Sequence, residues 1–280
     1  MKRLSVMMLG SLAFALIFWG TMAADAQWRS STHDVYEALT GVNITIDGDV
    51  SDWSGVLESV IGTDGTPFTG VLFQSNAGDE VAFEELGGAW SGPDDHETSI
   101  MMVWEPGAFY IGLVVTDDEH EHAALGNTSA WNGDGVQLAF EMTGERPVAG
   151  NEALLLYNFA LGDDGNLQIH YEKTLGVDAV DVAIARDETA KMTYYEAKFS
   201  ADELGVAAFE DGMELGLGIT VNDGDLDSPG QTGWSGWYPA SIVFGKNAEK
   251  TGLVRLSSGT RTAVELTGKL ATTWANIKKR

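Results

Sequence analysis

The sequence predicts an all-β chain: an antiparallel β-sandwich of the immunoglobulin-like or jelly-roll type with one short helix. Three observations carry that expectation. Apolar residues recur with the two-residue period of strands, as in Ile111, Leu113 and Val115 against Tyr110, Gly112 and Val114. Clusters of turn formers punctuate the runs, for example Gly162-Asp163-Asp164-Gly165-Asn166. A helix signal is found at Ser200-Ala201-Asp202-Glu203, a capping box closed by Gly205. At 280 residues, one large β domain accommodates the whole pattern.

Taken in order, the chain begins with Lys2 and Arg3, an apolar run over 4–19, and Ala24-Asp25-Ala26, the layout of a secretory signal with a small-x-small cleavage site. The run is shorter than the roughly 20 residues that a spanning helix needs, so residues 1–26 read as a cleaved signal and the remainder as secreted or periplasmic, with no membrane segment. Residues 27–40 read as a lead-in in which Val35, Tyr36 and Leu39 pack on a sheet edge, and 41–256 as the β domain. Within it, 43–46 is a short strand, 57–88 an insertion or peripheral strands, and 100–104 a strand paired through Glu105-Pro106-Gly107-Ala108 to the next. Further strands are expected over 153–161, 167–172, 177–185 and 192–199. Residues 257–280 form a basic tail, with Arg261, Lys269, Lys278, Lys279 and Arg280, read as a frayed extension or a docking segment for a cell-surface or enzyme partner.

The net charge of −26 argues against nucleic acid, whose phosphates require clustered Lys and Arg. The absence of cysteine removes disulfides, so stability after export rests on core burial and bound ions.

The stretch 109–142 organises the rest: a strand apolar on both faces, an acidic turn (Asp117 to His122), Trp131 on a loop of Asn132, Gly133, Asp134 and Gly135, and a second strand. In that second strand Val136, Leu138 and Phe140 face one way and Gln137, Ala139 and Glu141 the other, leaving one polar face. A large aromatic on a glycine-rich loop is badly placed for a core. The order of strand, Thr116-Asp117-Asp118, spacer, Trp131-Asn132-Gly133-Asp134-Gly135-Val136 and strand resembles the centre of the family 9 carbohydrate-binding modules, which occur beside secreted xylan- and cellulose-degrading enzymes. ITIDGDVSDW at 44–53, YYEAKFSADELG at 194–205, LGITVNDGD at 217–225 and WSGWYPASIVFGK at 234–246 follow the same family order.

The resemblance implies a non-catalytic binder of polysaccharide or oligosaccharide, and a sugar site needs flat aromatics with polar groups for the hydroxyls. By motif position the two stacking tryptophans of the family fall on Trp131 and on Trp237, with Trp234 as the alternative, and Gln137 and Asn132 stand beside them. Trp53 and Trp104 lie in strand-like patterns and read as core. Three departures from the family pattern stand out: Gln137 where glutamate is common, Thr220 where glutamine is, and no arginine in 154–158. Reducing-end recognition of cellulose or xylan therefore does not carry over.

Calcium is the expected cofactor. Asp223-x-Asp225-x-Asp227 places alternating carboxylates in one turn, the hard-oxygen arrangement that calcium prefers. Structural calcium in the family adds Asp47, Asp117 and Asp134 as ligand candidates. His96, His120 and His122 read as solvated, since no third ligand spacing is fixed for a transition metal. Three rival functions come from other classes, one of them a purely structural adhesin in which Trp131 is dispensable for soluble sugar affinity. A glycoside-acting enzyme would need two carboxylates facing one cleft, for which Glu141 and Glu196 are available. A haem-binding domain of a related sandwich fold would need Met and His axial ligands.

Overall fold

The computed structural model describes residues 34–53, 56, 84–85, 91, 94–123, 126–225, 228–243 and 245–259. The signal segment 1–26, most of the tail 257–280 and nearly all of 57–88 lie outside them. Among the described residues twelve strands form one hydrogen-bonded sheet: β1 (Val35–Leu39), β2 (Glu84–Glu85), β3 (His96–Glu105), β4 (Ala108–Asp117), β5 (Gly135–Glu141), β6 (Leu155–Leu161), β7 (Leu167–Lys173), β8 (Asp181–Asp187), β9 (Met192–Ser200), β10 (Glu214–Asp225), β11 (Ser228–Trp237) and β12 (Gly252–Ser257). The order is β7-β6-β5-β10-β12-β1-β3-β4-β9-β8, with β11 on β10 and β2 on β11. The edge strands come close together: the Tyr171 hydroxyl on β7 accepts the Val180 N–H just before β8 at 3.3 Å. The sheet thus curls into a nearly closed, barrel-like wall. The all-β expectation holds, and the ladder runs without a break between two halves.

The closed side holds the main core. Phe140 lies 4.8 Å from Phe199 and Tyr157 5.1 Å from Phe199, ring centroid to centroid, in edge-to-face contacts. Ile111, Leu113 and Val115 of β4 point into it, while Tyr110 and Val114 of the same strand belong to a second cluster outside, with Trp53, Met101 and Val103. This double burial is why β4 is apolar on both faces. Trp53 lies flat on Gly112, where an added Cβ would meet its ring at 2.8 Å. Trp104 is in the main core and Trp53 in the second cluster, so both tryptophans expected to be buried are buried.

Three expectations are corrected. β1, placed in the lead-in, is an internal strand parallel to both β12 and β3, with Tyr36 buried and its hydroxyl accepting the Met102 N–H at 2.8 Å. Residues 43–46 join no ladder; Ile44 and Ile46 instead pack on the second cluster, and the Thr45 N–H bonds Asp52 at 2.8 Å. The short helix is one turn only: Ser200 Oγ caps the Glu203 N–H at 3.1 Å, but Gly205, at φ 73°, ends the segment before a helix can propagate. Among the described residues the only helical pieces are short 3-10 turns.

Candidate saccharide cleft and acidic clusters

Register builds the site. Opposed residues of antiparallel strands share a face, and the ladders place Thr220, Gln137, Asn158 and His170 opposite one another across β10, β5, β6 and β7. Asn222, two residues on from Thr220, opposes Trp234 of β11 on the same outer face. The segment after β11 partly covers this face: Ile242 and Ala248 pack on Ala139, Leu154 and Leu156. What remains open is a cleft of about 490 Å³ lined by Trp131, Trp234, Gln137, Gln231, His170, Glu172 and Lys246, among others. That volume is in the range of small-molecule sites.

Trp131 is 44% exposed at the cleft mouth. Its loop is fixed to the sheet: Asn222 Nδ2 donates to the Trp131 carbonyl at 2.9 Å, and Asn132 Oδ1 accepts the Gln231 N–H at 3.3 Å. Asn132 is therefore a tie between the loop and β11. Gln137 and Gln231 each direct an amide N–H at Asn222 Oδ1, at 3.0 and 2.6 Å. An amide side chain has two donors and an acceptor oxygen, so each can also offer hydrogen bonds to a ligand. At the far end Lys246 Nζ pairs with Glu172 at 3.2 Å, and Asn158 donates to the same carboxylate at 3.2 Å.

Trp237, expected as the second stacking residue, is core. Trp234 and Trp237 are three residues apart and so point to opposite faces of a strand. Trp237 opposes Ile219, is 1% exposed, and sits edge-on to Tyr238 and Tyr36 at 5.4 and 6.2 Å. Trp234 is the cleft tryptophan. For Asn222, Gln231, His170 and Glu172 the only signal is ladder register, which requires knowing which strands are neighbours; Lys246 lies in the loop after β11 and carries no such signal.

The carboxylates proposed for hydrolysis are spent elsewhere. Glu196 accepts Trp53 Nε1 and the N–H groups of Asp47 and Gly48, at 2.7, 3.0 and 2.6 Å. Glu141 accepts the Thr143 and Arg146 N–H groups at 2.9 and 3.0 Å. Neither lines the cleft, whose one carboxylate among the described residues is Glu172. Met101, Met102 and Met192 are packed in the apolar clusters, away from haem-ligand duty.

Two acidic groupings lie beside the Trp131 loop. Carboxylate oxygens of Asp95, Asp118 and Asp225 lie within 4.8 Å of one another. Burial, then the charges of Asp223, Asp95 and Asp118, push the Asp225 carboxyl up to about 6, and burial with its acidic neighbours raises Asp118. An all-oxygen, mutually repelling trio fits calcium. Asp117 and Asp134 form the second grouping with His120. Asp134 Oδ2 accepts the Glu121 N–H at 2.6 Å and Oδ1 the Gly224 N–H at 3.0 Å; burial, then the Asp117 charge, raises its carboxyl well above the usual range. Of the other expected ligands, Asp223 pairs with His96 Nδ1 at 3.0 Å rather than joining the trio. Asp47 closes its own turn on the Asp49 N–H at 2.9 Å, and Asp227 lies outside the described residues. His96 and His122 are buried rather than solvated, and burial lowers the His122 pKa.

The sequence profile of the family described as "Carbohydrate family 9 binding domain-like" matches residues 74–259. Among solved structures, the chain is similar to a carbohydrate binding module family 9 from Caldicellulosiruptor kristjanssonii in complex with cellotriose, at TM-score 0.54 and 14% identity over 82% of this chain and 97% of that one. It is also similar to one from the same organism in complex with glucose, at TM-score 0.53 and 14% identity over 81% and 97%. At that identity the likeness is one of fold. No curated protein matches the chain.

Proposed function

Because the chain belongs to the carbohydrate family 9 binding domain-like family, we propose that the cleft is a non-catalytic saccharide site. In this reading the exposed Trp131 ring stacks on the apolar face of a sugar, Trp234 supplies the deeper aromatic wall, and Gln137 and Gln231, anchored on Asn222, meet the hydroxyls. The observation that carries it is the pairing of a half-exposed tryptophan with the Gln137 and Gln231 amides in one cleft of about 490 Å³. Apolar faces bordered by polar edges are what a pyranose offers. The structural relatives that hold cellotriose and glucose support short neutral glucans as first candidates, within polysaccharide recognition or breakdown in cellulose- or xylan-rich settings.

The proposal extends to calcium and to place. Asp95, Asp118 and Asp225 would hold calcium, which relieves their mutual repulsion and fixes the turn after β4 against the end of β10. The N-terminal Lys2-Arg3 and apolar run support export, with the acidic body keeping the released chain soluble.

The test is isothermal titration of cello- and xylo-oligosaccharides, with insoluble polysaccharides in pull-down, against the chain in calcium. Saturable binding of at least one glycan, weakened by Trp131→Ala and Trp234→Ala, supports the reading. A folded protein that binds none of the panel, or binds equally well without Trp131, contradicts it.

A further inference from the structure

The second grouping carries more than a repeat of the first. His120 Nε2 lies 2.9 Å from the Leu161 carbonyl oxygen. A carbonyl only accepts, so Nε2 carries the proton and Nδ1 presents its lone pair in the neutral ring. Nδ1 has no hydrogen-bond partner, on a side chain 7% exposed, and points at two carboxylates: Asp134 Oδ2 at 3.5 Å and Asp117 Oδ2 at 3.8 Å. Three electron-rich atoms thus converge in a buried space.

The surroundings are those of metal ligands. A ligating histidine commonly donates its other N–H to a backbone carbonyl, and ligating carboxylates are held by outer hydrogen bonds. Here Leu161 fills the first role. The N–H groups of Glu121 and Gly224 hold Asp134, and the Glu119 N–H, at 3.1 Å, with Arg186, at 3.2 Å, holds Asp117. Arg186 offsets one of the two carboxylate charges and leaves the other for an ion.

We propose that Asp117, His120 and Asp134 form a divalent metal site of the zinc class, distinct from the all-oxygen trio of Asp95, Asp118 and Asp225. An imidazole nitrogen suits zinc, cobalt or nickel, whereas calcium takes oxygen donors. The three ligands come from the end of β4, the following turn and the residue before β5, so the ion clamps the connection that presents Trp131, three residues before Asp134.

The experiment strips the full chain with chelator and titrates it with Co²⁺ alone, read by visible d–d absorption, followed by Zn²⁺ displacement. His120→Gln, which removes the ring nitrogen, and Asp134→Asn are compared with His170→Gln, a control at the cleft. The expected result is one Co²⁺ per chain, displaced by Zn²⁺. His120→Gln weakens it at least a hundredfold, His170→Gln leaves it unchanged, and both of these variants keep the rise in Tm expected from calcium at Asp95, Asp118 and Asp225. Unchanged Co²⁺ binding in His120→Gln overturns the proposal, as does a folded, stripped wild-type protein that binds neither Co²⁺ nor Zn²⁺. Loss of the calcium response in His120→Gln, with the wild-type protein failing to bind Zn²⁺, overturns it too, by assigning calcium to this site. Should Asp134→Asn not fold, His120→Gln decides the outcome.

Discussion

The two outer faces of the sheet are built from the same parts and put them to different use. Over β4 and β9, Trp53 is fully buried, its indole N–H and two backbone N–H groups converge on Glu196, and the ring lies on Gly112. Those three donors are all answered by one carboxylate within the protein. Over β5, β10 and β11, a tryptophan stands half exposed beside amides that share one oxygen, Asn222 Oδ1. The first face spends its hydrogen-bonding capacity on the fold, and the second keeps capacity for a ligand. Residue type alone does not separate scaffold from site; saturation does.

Breaking the scaffold side carries the largest expected effects. Trp237→Ala, which empties the core beneath the cleft, is expected to cost about 3–5 kcal/mol of stability in denaturant titration. Retention of full stability would remove Trp237 from the core. Glu196→Ala strands three N–H donors, and a loss of about 3 kcal/mol is expected, while the folded fraction binds sugar as wild type does. On the other face the signs reverse. Trp131→Ala is expected to weaken glycan binding roughly ten- to a hundredfold, about 1.5–3 kcal/mol, with Tm little changed; a large fall in Tm would make that ring structural. Gln137→Ala, removing one polar partner, is expected to weaken binding by about 1 kcal/mol.

The smallest effect is on pH. Asp225 is raised to about 6 in the folded protein, above its unfolded value, so its contribution to stability is full below the unfolded value and is lost as pH rises through about 6. In chelator, Tm is expected to fall across that window on this account, and calcium to abolish the fall. A chelated protein whose Tm rises over the same window would contradict the cluster.

How much of this was legible follows from range. The Trp131 loop could be read because its signal is local: an aromatic among glycines and polar residues cannot fill a core. The buried faces of β4 could be read because both periods of the strand are apolar. Trp234 and Trp237 could not be sorted, because a one-residue slip of register exchanges core for cleft, and the partner strand that settles it lies in β10. For the same reason Asp225 was visible as an acid after a strand, whereas its companions Asp95 and Asp118 come from a strand start and a strand end far away in sequence. β1 was hidden because its partners are parallel, and parallel pairing leaves no hairpin turn to mark it.

The most direct test is the indole N–H spectrum of ¹⁵N-labelled chain titrated with the glycan that binds best. The resonances of Trp131 and Trp234, assigned by single substitution, should shift and saturate with one dissociation constant, while those of Trp53 and Trp237 stay in place. Saturable shifts of Trp53 or Trp237 with Trp131 unmoved would put the ligand elsewhere and contradict the division of the molecule into a saturated face and a binding one.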